Sequence, residues 1–323
     1  EGQKDQKYLP SEIIEALRAV LHHPQLDAAF KELVLTLPSE NYIAEQLAVV
    51  DPQRIHSVRE ALRMELALAL QADWVWAWEH HHAQGAYRPD ATSSGRRALA
   101  GLALSMLCLA ARSTGDSVWP GKAYQQVKDA SNMTERFNAL SALVSSGHPL
   151  AEPALARFYE LFQDDALVLD KWFALQGAAS DRGGDVLPAV KALMKHADFQ
   201  IKNPNRARSL IFSYCNNAGA FHRADAAGYV FWADRVIEID GSNAEALGNL
   251  DEIRRCLELR SEQAFAIEQG LLLVHQAEGG VVHEHDFQIH LFFGGSHQFL
   301  DVHQDGTVAG KADHGSLRLG QRG

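Results

Sequence analysis

The triplet His283-Glu284-His285 carries the residue types of a zinc site. A helical zinc-peptidase motif needs His, Glu, two spacers and a second His, so that both imidazoles share one helix face. Here the fourth position after His283 is Phe287, and the motif fails. On a strand, His283 and His285 would share a face, with His290 on the opposite parity. A distant third His would then complete a cupin-like metal site. A second dense group holds Trp74, Trp76 and Trp78 followed by His80, His81 and His82. Spacing of two spreads rings around a helix, so the tryptophans read as packing residues, and adjacent histidines diverge. There is no Gly-x-Ser-x-Gly run, no recognisable Ser/His/Asp set, no phosphate-cradling glycine loop and no acid pair at glycosidase spacing.

Asn203-Pro204-Asn205-Arg206-Ala207-Arg208 has a more specific local logic. Asn203 can cap a helix and Pro204 can occupy its first turn. Two arginines at a helix N-terminus oppose the macrodipole. Each therefore wants an acidic partner, a substrate carboxylate or a stacking surface. On local grounds alone the run also reads as a surface turn with two solvated arginines. Asp170-Lys171-Trp172-Phe173 lies on an apolar helical stretch. Asp170 and Lys171 read either as a domain-interface contact or as a partly satisfied pair beside a core Trp. Asn132-Met133-Thr134-Glu135 reads as a helix start, capped by Asn132 or Thr134.

The elements that must position these residues are helical from Ser11 to about Asp240. Ile13, Ile14, Leu17, Val20 and Leu21 form one stripe, with Ser11 as N-cap and Pro24 beyond the end. Ser39 is placed to cap a helix burying Tyr42, Ile43, Leu47 and Val50. Asp51-Pro52 opens a long helix running toward Trp76. Further helices are predicted over 95–112, 118–130, 134–146, 152–163, 166–179, 185–196, 204–216 and 226–239. Short Gly-, Pro-, Asn- or Asp-bearing connections favour stacked helix pairs, an all-α superhelix of the HEAT-like kind. No clean repeat is visible, so the pairs would be degenerate. The pattern fades after about Gln269, and Val281–Phe293 alternates as a strand would. Seven of the sixteen histidines fall at or after His275, which puts a boundary near 245–270.

Composition narrows the function classes. The 323 residues are 46% hydrophobic, enough for a large core. A net charge of −11 argues against nucleic acid, which demands a basic face. Cys108, Cys215 and Cys256 are odd in number and far apart, so neither a disulfide framework nor a Cys-x-x-Cys metal pair follows. The apolar stretch around Leu99–Ala111 is too short to span a bilayer. The start, Glu1 to Lys7, is polar, lacks a signal-peptide core and lacks an initiator Met. The chain reads as cut from something longer or as beginning mid-gene, in a cytoplasmic protein.

The Asn203 run has companions: Leu37-Pro38-Ser39-Glu40, Asn132-Met133-Thr134-Glu135, Asp170-Lys171-Trp172-Phe173, Phe221-His222 and Gly228-Tyr229-Val230-Phe231. In this order and at these distances they resemble the C-terminal helical domain of bacterial aminopeptidase N, a zinc-dependent family. The resemblance runs from about Tyr8 to Asn243. It implies a domain over 8–247, after the polar lead 1–7, and a divergent tail over 248–323, frameshift-derived, disordered or short β. In that family a zinc-bound water attacks the scissile carbonyl, a Glu acts as base, and an acidic cluster holds the free amine. Zinc would be held by a catalytic domain of the same polypeptide, which this chain lacks. The resemblance implies a cap that encloses the active-site cavity and limits peptide access, and it makes Arg206 and Arg208 candidates to line that cavity, with Asn205 orienting them. It implies no metal or catalytic residue here, and an inactive chain on its own. The competing reading is a stand-alone α-solenoid scaffold for a protein partner.

Overall fold

A computed structural model describes residues 8–82, 87–239, 287–293, 296–302 and 308–312. Its helices fall where polar capping residues meet amphipathic runs. Ser11–His22 forms α1, Ala28–Leu35 α2, Glu40–Glu45 α3, Pro52–Ala69 α4 and Gln71–His81 α5. Ala91–Thr114 forms α6, Val118–Asp129 α7, Met133–Ser146 α8, Ala151–Phe162 α9, Ala166–Gly177 α10 and Val186–Leu193 α11. The short α12 (Pro204–Ala207) runs into a π-helical turn, Arg208–Phe212, and then into α13 (Ser213–Cys215). Ala218–Phe221 is α14 and Ala227–Ile239 is α15.

The contacts divide the chain into two compact units, residues 1–39 with 56–220 and residues 40–55 with 221–323. In the first, α6 is the central element, packed against α2, α5, α7 and α8. Asp90 caps it by accepting from Ser93 N at 2.9 Å, and Gly115 ends it at φ 72°. Leu99, Ala103, Leu104, Leu107 and Cys108 are completely buried along it, as are Trp74 and Ala77 of α5 and Leu140 and Leu143 of α8. Each buried leucine is worth roughly 2 kcal/mol over an exposed one. Beyond α8 the packing proceeds stepwise: α9 on α7 and α8, α10 on α9, and α11 with the π turn on α10. This is the stacked-pair architecture the periodicity predicts. The second unit holds α3, α15 and a three-stranded antiparallel sheet. Its strands are β1 (Phe287–Phe293), β2 (Ser296–Val302) and β3 (Val308–Ala312), with Phe287 opposite Val302 and Leu300 opposite Gly310. His283, His285, Cys256 and the boundary at 245–270 lie outside the described residues.

Five local expectations need correction. The long helix from Pro52 breaks at Leu70, whose backbone (φ −109°, ψ 24°) leaves the helical basin. The helix expected over 204–216 is interrupted by the π turn. At Gly177 the α10 backbone comes so close that an added Cβ would lie 2.7 Å from Leu210 O, so the turn is locked against α10 by the absence of a side chain. Ser11 is the first helical residue of α1, and no side-chain cap bond forms there. The helix after Ser39 buries none of its residues, and Tyr42 and Leu47 are exposed. Finally, Ala28–Leu35 is helical where the sequence reading places no helix, and Asp27 caps it by accepting from Phe30 N at 2.8 Å.

Candidate functional site

The Asn203 run begins as its residue types dictate. Asn203 Oδ1 accepts from Asn205 N at 3.1 Å and from Arg206 N at 3.3 Å, with Pro204 next in the chain. This cap aims Arg206 inward. Its Nε donates to Asp170 Oδ1 at 2.7 Å, and its Nη1 donates to the carbonyl of Asp198 at 2.8 Å. The guanidinium lies 4.9 Å from the Phe173 ring centroid, within cation–π range. Arg206 is only 5% exposed. The macrodipole conflict is thus met by both an acid and a ring.

The other candidates point elsewhere. Arg208 opens the π turn and is exposed, with neither an acidic nor a ring partner among the described residues. Asn205 is exposed as well. Lys171, next to Asp170, is exposed with its Nζ 6.0 Å from the Phe137 ring centroid. Sequence spacing suggested an Asp170–Lys171 pair, but Asp170 instead joins Arg206 across thirty-six residues. Trp172 is buried and donates its indole N–H to Leu155 O at 3.0 Å.

Several neighbours were not singled out from the sequence. Tyr159 donates to Asp198 Oδ2 at 2.6 Å, and that bond, with a smaller effect of burial, raises the phenol's pKa. His196 sits among Tyr159, Trp172 and Phe173, with centroids 5.2, 5.5 and 5.8 Å away. Of this group the sequence singles out only Trp172 and Phe173, beside Asp170 on an apolar helical stretch. At the start of α8, Asn132 Oδ1 accepts from Glu135 N at 2.9 Å and its Nδ2 donates to Glu135 Oε2 at 2.8 Å, so Asn132 is the cap.

A separate groove of about 430 Å³ is lined by Trp78, His82, Lys122, Gln125, Asp129 and Glu135, among others. Lys122 Nζ lies 4.1 Å from the Trp119 ring centroid and 4.8 Å from that of Trp78. Neither arginine of the Asn203 run, nor Asn205, Asp170 or Lys171, reaches it. Trp76 instead contacts His22, His80 and His81, so the three tryptophans serve different neighbours. Among the described residues no three His, Cys, Asp or Glu side chains converge as a metal-binding set. None of the described helices is long and apolar enough to cross a membrane.

Comparison with known proteins identifies the domain. Residues 2–257 match the family described as "Domain of unknown function (DUF3458_C) ARM repeats". Aminopeptidase N of Escherichia coli K12 is 34% identical over 245 residues, covering 76% of this chain and 27% of that protein. Aminopeptidase N of Haemophilus influenzae is 34% identical over 242 residues, covering 75% and 27%. The crystal structure of Legionella pneumophila aminopeptidase A in complex with aspartic acid superposes with a TM-score of 0.65 at 27% identity, covering 77% of this chain and 30% of that one. The chain thus spans about a quarter of the length of the curated relatives it matches. With its helical stack and its match across residues 2–257, the chain belongs to the DUF3458_C family of ARM-repeat domains, the C-terminal domain of aminopeptidase N.

Proposed function

We propose that this chain is the cap of a zinc-dependent aminopeptidase, a helical domain that encloses the active-site cavity and limits which peptides enter. The observation that carries this reading is the 34% identity to aminopeptidase N over 245 residues that make up only 27% of that protein. The described residues offer no donor set that fits zinc. In this reading zinc, the general base and the acids that hold the free amine fall to a catalytic domain of the same cytoplasmic polypeptide. No step of peptide hydrolysis is assigned to side chains of this chain.

In this reading residues 8–247 form the cap and 248–323 a tail with its own β structure. The Asn203 turn faces the cavity or the catalytic domain. Arg208, Asn205 and Lys171 are its accessible contacts. Arg206 and Asp170 act as positioning residues that fix the turn from beneath. Support for the division of labour comes from exposure: Arg206 is consumed by internal partners, whereas Arg208 has none among the described residues.

The test is an assay of the purified chain with zinc and alanyl-naphthylamide. The cap reading predicts no hydrolysis and no stoichiometric zinc. Turnover by the chain alone would overturn it.

A further inference from the structure

The helix α2 is built inside out. Lys31 is 5% exposed and Leu35 3%, and α2 rests on α6 and α1. Phe30, Leu33 and Val34 are 46, 70 and 39% exposed. Positions 30, 33 and 34 fall within one arc of a helix, so the three side chains form a single outward apolar face. No carboxylate pairs with Lys31 among the described residues, and burial lowers its pKa. Both ring nitrogens of nearby His81 are buried without a partner, and Arg96 and Lys31 both act on that ring. A helix facing water keeps its cations outside and its large apolar residues inside. This one does the reverse, which makes sense when a second surface covers it.

We propose that the Phe30–Leu33–Val34 face is an interdomain docking surface, covered by an apolar patch of the same aminopeptidase polypeptide outside this chain. The inference rests on the cap reading above. Two observations favour that occupant over a second copy. The matched stretch is only 27% of the length of its relatives, so most of such a polypeptide lies outside the residues here. A chain with net charge −11 also repels its own copy.

The experiment places the photo-crosslinker p-benzoylphenylalanine at position 33 of the polypeptide that the gene encodes. Mass spectrometry should find crosslinks within one polypeptide to residues beyond 1–323. Crosslinks to a second copy, to residues within 1–323 only, or none at all would overturn the docking assignment. Leu33→Asp adds a second readout. It should leave the unfolding midpoint of the isolated chain within about 1 °C, because the side chain is exposed there. In the whole polypeptide it should lower this domain's midpoint by roughly 3 °C or more. Equal shifts in both would contradict docking. Activity of the wild-type polypeptide on alanyl-naphthylamide separates the two claims. An active enzyme without the crosslink defeats the docking face alone, and a gene encoding only this chain defeats both.

Discussion

Arg206 and Asp170 meet at 2.7 Å, joining the capped turn at Asn203 to the middle of α10. The pair is not isolated. The same guanidinium also bonds the Asp198 carbonyl and stacks on Phe173. A turn held by three interactions of one side chain can present its neighbours, Asn205 and Arg208, in a fixed geometry.

Breaking that pair from one side should be costly. Asp170→Leu leaves a nearly buried guanidinium without its acid, and the expected loss is about 3 kcal/mol. Arg206→Met combined with Asp170→Leu should recover much of it, since a well-packed apolar replacement leaves no orphaned charge. Urea denaturation of the two singles and the double measures the coupling. Single variants within about 0.5 kcal/mol of wild type would mean that the pair does not hold the turn.

Acid should destabilise the second unit through His222. Its Nδ1 lies 2.8 Å from the Tyr229 hydroxyl, and burial pushes its pKa down to about 4, with Glu40 opposing weakly. The folded value lies below the unfolded one of about 6.5. Stability is therefore complete above pH 6.5 and falls as pH drops toward 4, because the unfolded chain takes up the proton first. The expected loss is about 2–3 kcal/mol. His81, in the first unit and also pushed down to about 4 chiefly by burial, makes that unit lose stability over the same pH range. Thermal unfolding from pH 7 to 4 checks this, and His222→Gln should flatten the curve.

Cys108 and Cys215 should be silent in the folded protein. Both are buried, and burial pushes each thiol up to about 12, so almost no thiolate exists at pH 8. Iodoacetamide followed by peptide mapping should find neither labelled until denaturant is added. Rapid native labelling at either position would show that the α6 core or the turn before α14 opens.

How much of this was legible depended on range. Local chemistry was readable: Asn203-Pro204 and Asn132 start helices as their side chains and missing amide require. The helix stack followed from periodicity, and the family from the order of short motifs. The Arg206–Asp170 bond was not readable, because a sequence contains no distance between residues thirty-six apart. Adjacency suggested Lys171 as Asp170's partner, whereas neighbouring side chains on a helix point apart. The α2 helix keeps the ordinary spacing of an amphipathic helix, with Phe30, Leu33 and Val34 on one arc. What spacing does not give is the direction of that stripe, which faces outward while Lys31 and Leu35 are buried.

Arg208 and Lys171 should matter for function and not for folding. Each is exposed, so Arg208→Ala and Lys171→Ala should change the stability of this chain by less than about 0.5 kcal/mol. In the whole enzyme, at least Arg208→Ala should raise KM for peptides more than for alanyl-naphthylamide, with kcat little changed. A loss of stability matching that of Arg206→Ala would instead place Arg208 in the structural lock.

The most direct test of the cap reading is the sequence of the DNA flanking this reading frame. The account predicts an upstream stretch, continuous with Glu1, that encodes His-Glu, two residues and His. An independent start immediately before Glu1, with no such motif upstream, would contradict it.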